Sequence, residues 1–245
     1  MRESSMADRD VARPLSRFMD HQGIAPDRLS ATYPAGGGGE LIEGEATNVD
    51  AHPPGDYVGE VVESSTAEAL AQARELNCAP SFGRFVMIES AVPAVGIVFN
   101  VATQSVEPNR RPAAYGKTER ELRLEQPQIF ELLRTHFHIL IVGHLDRGAP
   151  VPVLPPHPAP IHCFVYECDD ALVRACTEDD EFLRNIINTS GLPADQLLIA
   201  TLRNALQVRG DSREYLVTMG KALSRLLQED YDRLRSVIRR IAPGR

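Results

Sequence analysis

From Tyr57 to about Cys168, apolar and β-branched residues come in short runs separated by turn residues. Val58–Val62 is one such run, and Arg84–Ile88 follows the turn signal Pro80-Ser81-Phe82-Gly83. Val95–Val101, His138–Val142 and Ile161–Tyr166 are three more of strand length. Short strands at this spacing, with Gly and Pro between them, predict a small antiparallel β-barrel rather than a doubly wound sheet. One segment reads two ways. Ser65-Thr66-Ala67-Glu68 has the form of a capping box ahead of strong helix formers, so propensity favours a helix over Ala67–Leu76. Yet Ala69, Ala71 and Ala73 alternate with Leu70, Gln72 and Arg74, which suits a strand with one crowded face.

The periodicity then changes. A long excursion over Glu107–Thr135 opens with the basic, proline-flanked Pro108-Asn109-Arg110-Arg111-Pro112. Helical character is expected near 118–135, with Pro127 starting a turn over Ile129, Leu132 and Leu133. Beyond Cys168 the chain reads as helical. Thr177 is placed to cap a helix whose first turn holds Glu178, Asp179 and Asp180, favourable against the helix dipole. Pro193 starts a second through Leu197, Leu198, Leu202 and Leu206. A last helix from about Asp211 sets Leu216, Met219, Leu223, Leu227, Leu234, Ile238 and Ile241 along one face, which needs a cover.

Residues 1–55 lack such patterning and contain Pro34-Ala35 followed by four glycines, so they are expected to form a disordered arm. A weak helical spacing of Val11, Leu15 and Phe18 is the one island in it. The expected organisation is therefore an arm over 1–55, a barrel over 56–168 and a helical tail over 169–245, an α+β chain. At 245 residues it is long enough to bury a core without staples. With 6% aromatic residues and no Trp, that core must be largely aliphatic. A net charge of −8 argues against coating nucleic acid through bulk charge. The first residues carry both charge signs without the apolar centre of a signal peptide, and runs such as Ile139–Val142 are far too short to span a bilayer. Cys78, Cys163, Cys168 and Cys176 are then expected as reduced thiols and the cytoplasm as the compartment.

The run Val58-Gly59-Glu60-Val61-Val62-Glu63-Ser64-Ser65-Thr66, followed by Gly83-Arg84-Phe85-Val86-Met87-Ile88-Glu89, resembles the HAS barrel. That domain is named for HerA-type helicases and ATP synthase subunits, where it precedes a motor domain. The resemblance covers roughly residues 57–168, and the Arg110-Arg111-Pro112 loop looks like that of a stand-alone bacterial branch. It implies that the ambiguous Ala67–Leu76 segment is a strand, and that the barrel packs against copies of itself or docks other proteins. A motor would need a phosphate-binding loop. Gly116-Lys117-Thr118 supplies its last three letters, but Arg111 stands where its first glycine belongs. No ATP hydrolysis is implied, and no cofactor is expected.

Other chemistry finds weak support. His136 and His138 would share one side of a strand near His144, His157, His162, Cys163 and Cys168, but no Cys-x-x-Cys or His-Glu-x-x-His spacing accompanies them. No Gly-x-Ser-x-Gly elbow occurs. The acidic run Glu178–Glu181 reads as a solvated helix start. Pro150–Pro160 reads as an extended connector crossing the barrel mouth, or alternatively as a ligand for an aromatic groove. The surface binding candidates are Arg110, Arg111, His157 and His162, with no catalytic or metal-ligating residue. The leading expectation is a non-catalytic scaffold or adaptor that binds a protein partner or itself. The alternative is a nucleic-acid accessory factor acting through Arg110, Arg111 and the C-terminal Arg233, Arg235, Arg239, Arg240 and Arg245.

Overall fold

A computed structural model of the chain describes residues 56–107 and 112–241. The expected arm over 1–55, Arg110, Arg111 and Arg245 lie outside the described residues. Seven strands form: β1 (Gly59–Ser64), β2 (Glu68–Ala73), β3 (Phe85–Ile88), β4 (Ala94–Ser105), β5 (Leu133–Asp146), β6 (Ala149–Val151) and β7 (Phe164–Glu167). They pair in the order β2-β1-β7-β3-β4-β5-β6, and β2 also pairs with β5. That last pairing closes a six-stranded, wholly antiparallel barrel, with β6 a short hairpin return outside the ring. Closure removes the free edges of the ring itself.

β2 is where tertiary structure overrides local propensity. Its residues pair with β1 on one side and β5 on the other. Ala69, Ala71 and Ala73 point inward and are buried, while Glu68, Leu70 and Gln72 are half-buried outside. The lumen takes Val61, Val86, Ile88, Val98, Phe137, Ile139 and Val165 beside those alanines. It is tightly filled. A Cβ on Gly59 would lie 2.7 Å from the Phe137 ring, and one on Gly96 would lie 2.3 Å from the Ile139 side chain.

The same strands bury their other face under helices. Phe85, Val95, Ile97, Leu140 and Val142 point out of the barrel and join the core formed with α3 (Asp170–Cys176), α4 (Glu181–Asn188), α5 (Ala194–Val208), α6 (Arg213–Leu226) and α7 (Tyr231–Ile241). Phe85 meets Phe182 at a ring-centroid distance of 6.0 Å, an edge-to-face geometry. Each large apolar side chain so buried contributes roughly 1.5–3 kcal/mol. Gly83, at φ +84°, lets the chain approach α5, where a Cβ would meet that of Ala200 at 2.5 Å.

Several boundaries differ from the sequence expectation. Asp169, not Thr177, caps a helix: its carboxylate accepts from the Leu172 amide at 2.7 Å and opens α3. Thr177 ends α3, its hydroxyl donating to Val173 O and accepting from Arg209. The expected last helix is two, α6 and α7, because Asp230 takes the Arg233 amide at 3.0 Å and starts a new helix. Its apolar face is covered from within. Met219, Leu223, Leu227, Val237 and Ile241 are buried in the core that α5 shares with the barrel, although Ile238 stays 37% exposed. Ile161 and His162 precede the last barrel strand rather than opening it. His162 sits at φ +73°, a turn conformation, and β7 starts at Phe164.

Candidate interaction surfaces

The functional question becomes what the outside of this solid barrel presents. β4 and β5 are longer than the barrel needs. Their register continues from Asn100↔His138 to Ser105↔Leu133, past the last β3 partner at Ile97 and past the Gln72↔His136 pair of β2. The hairpin therefore projects beyond the ring. At its tip come α1 (Glu119–Glu125) and α2 (Gln128–Glu131). Thr118 caps α1 through a full capping box with Glu121, and Lys117 pairs with Glu125, so the Gly-Lys-Thr triplet serves a helix start. α2 opens after Pro127, but Leu132 ends it and Leu133 already belongs to β5.

No side chain of α1 or α2 is buried. Leu124 is 78% exposed and Val106 52%, with Val101, Tyr115 and Leu132 also open. Single exposed apolar residues are ordinary, but their gathering on one projection is not. The inner side of the hairpin is pinned by polar bonds. Thr103 donates its hydroxyl to Asn77 Oδ1 at 3.0 Å and lies 2.8 Å from the Thr135 hydroxyl, which accepts the Asn77 amide at 2.8 Å.

On the outer side, His136 and His138 stand on one face as expected. Gln104 reaches His136 Nδ1 at 3.4 Å, and the Phe99 ring lies 5.5 Å from that of His138. Burial holds both imidazoles below the usual histidine range, against an opposing pull from the Glu63 carboxylate. Burial likewise raises the Glu68 carboxyl. No cluster of three or more metal-ligating side chains occurs among the described residues.

The structure does not bring the remaining candidates together. His157 is exposed on the proline-rich connector, which seats Ala159 against the barrel lumen. His162 is 80% exposed and lies 2.5 Å from the Glu60 carboxylate of β1. The two share no hydrogen bond. Cys163 and Cys176 are partly buried against the cores. Burial pushes the Cys176 thiol up to about 11 and raises that of Cys168 as well, so neither favours a nucleophilic thiolate. A family comparison was equally bare. No protein-family model matches the chain, and no curated protein matches it in sequence.

Recesses also occur in the helical layer. One of about 60 Å³ lies among α5, α6 and α7, with Gly220, Leu216 and Ile238 at its wall. Another of about 30 Å³ lies where α3 meets the β5–β6 hairpin. Small-molecule sites start at about 300 Å³, so both are packing gaps. Two of the C-terminal arginines bond to α5 of this layer. Arg233 bonds Asp195 at 2.7 Å, and Arg240 donates to Gln196 at 2.6 Å. Sequence reasoning missed the projecting hairpin as a surface, although the change from the apolar Val95–Phe99 to the mostly polar Asn100–Ser105 was its signal. No helix among the described residues is long and apolar enough to cross a membrane.

Proposed function

We propose that this chain is a non-catalytic scaffold or adaptor of the cytoplasm, whose barrel, similar to a HAS barrel, holds out the β4–β5 hairpin and its α1–α2 tip for protein contact. The observation that carries this reading is the exposure of Val106, Leu124 and Leu132, all in the stretch between β4 and β5 or at its border, among the described residues. Surfaces of this kind mark protein–protein contacts. The apolar face of the C-terminal helices lends no support, since the chain covers it itself. The nucleic-acid alternative loses Arg233 to its bond with Asp195.

The test is affinity capture of the tagged chain from its native cytoplasm, with and without nuclease, beside a Leu124→Glu variant. A protein partner that survives nuclease and is lost with Leu124→Glu supports the reading. Partners lost on nuclease treatment and indifferent to Leu124 would move the function to the arginines.

A further inference from the structure

Beyond the barrel ring, β4 has a strand partner on one side only among the described residues. Val106 donates its amide to Leu132 O at 2.8 Å, which fixes the alternation: Asn100, Ala102 and Gln104 face β5, while Val101, Thr103 and Ser105 direct N–H and C=O the other way. β3 would cover that side, but its pairing ends at Ile97, and the last bonds across are at Val98, whose amide donates to Arg84 O and whose carbonyl accepts from Gly83 N. Among the described residues no strand pairs with the outward edge of Val101–Ser105. Such an edge is a ready template for another strand, and proteins ordinarily blunt it with proline, charge or a covering element.

Among the described residues the other free strand edge, that of β6, is blunted in that way. β6 carries Pro150, is followed by Pro152, and lies against α3. The edge of β4 reads Val101-Ala102-Thr103-Gln104-Ser105, with no proline and no charge. It is also held straight in advance, because Thr103 is tied to Asn77 and Thr135 from the inner side. A preorganised strand loses little entropy on pairing.

We propose that a second copy of this chain pairs with this edge, antiparallel and about a two-fold axis at Thr103. This deepens the protein-contact reading and rests on the same projecting hairpin. The choice of a second copy follows from the chemistry of the edge. It offers no charge by which to select a foreign strand, whereas it complements itself. The two-fold sets Thr103 opposite Thr103 of the second copy, Ala102 opposite Gln104 and Val101 opposite Ser105. Thr–Thr pairs are favourable across strands, and no like charges meet despite a net charge of −8. Val106 lies next to this edge in sequence and adds exposed apolar surface to the contact. An isologous pairing of this kind closes at two copies.

The experiment is sedimentation of the full chain over a concentration series up to about 0.1 mM. Two variants accompany it. Thr103→Pro removes an outward N–H without breaking the β4–β5 ladder. The double change Ala102→Lys and Gln104→Lys places like charges opposite across the two-fold while leaving the inner bonds of Thr103 intact. The wild-type mass should rise from 27.0 kDa to twice that value, and both variants should stay at 27.0 kDa with unchanged circular dichroism. A wild type that remains monomeric throughout, or a dimer that survives the double lysine change, overturns the proposal. A monomeric wild type that still captures a partner through Leu124 overturns self-pairing alone. A dimer lost in both variants, from a chain that captures no partner, upholds the pairing and removes the adaptor.

Discussion

The β4–β5 hairpin contains two regions with the same backbone pairing and opposite surroundings. In the barrel half, Ala94–Phe99 and Ile139–Val142 alternate between a filled lumen and a helical cover, so both faces are dry. In the projecting half, Asn100–Ser105 and Leu133–Thr135 keep the ladder past the last β3 and β2 partners, and of these residues Thr135 alone is buried. The difference teaches that strand pairing and burial are separate properties of one element. Pairing fixes the direction of the hairpin. Burial decides which half carries stability and which half is left for contact.

The largest break in this comparison should come from Gly96, whose missing side chain leaves room for Ile139 in the lumen. Gly96→Val should abolish cooperative unfolding or lower stability by more than the roughly 1–3 kcal/mol of ordinary overpacking, read from urea denaturation. The next contrast sets truncations to alanine in the two halves. Ile97→Ala should cost about 2–5 kcal/mol, since Ile97 is fully buried beneath the helices. Val101→Ala should change stability by about 0.5 kcal/mol or less, because Val101 is 41% exposed. Equal losses would show that the projection is part of the core.

The smallest effect concerns pH. His136 and His138 have folded values lowered by burial, so the folded chain resists protonation that the unfolded chain accepts. Their contribution is fully present above about pH 6.5, the ordinary histidine value, and is lost as pH falls through the lowered folded values. Glu63, Arg134 and the mutual repulsion of the two rings modulate this loss. Glu68, raised by burial, acts in the opposite sense as pH falls towards the ordinary carboxylate range. Replacing both histidines by Gln should flatten the slope of stability between about pH 6.5 and 5. An unchanged slope would place its origin elsewhere.

Much of this fold was legible along the chain. Val95–Val101 reads as a strand because its apolar run has strand length, and it lies within β4. The alternating alanines of β2 were readable as a strand only by setting local propensity aside. The decisive fact, a neighbour on each side, is long-range. The same holds for the helix boundaries. Asp169 and Asp230 are ordinary cap residues, but Thr177 offers the same local signal, and only packing against Arg209 makes it a helix end. Of the binding candidates, His157 and His162 are both exposed, and nothing in their spacing told that the two share no hydrogen bond. The projecting hairpin was hidden for a plainer reason. Strand length is visible in sequence, but the point where its neighbours stop is not.

Hydrogen exchange on the dilute chain measures the division between the two halves most directly. The amides of Ile97 and Ile141 should exchange only on global unfolding, whereas those of Val101 and Thr103, which face away from β5, should exchange many-fold faster. Protection that runs evenly along β4 at high dilution would contradict the account, because it would mean that the outer edge is already paired within a single chain.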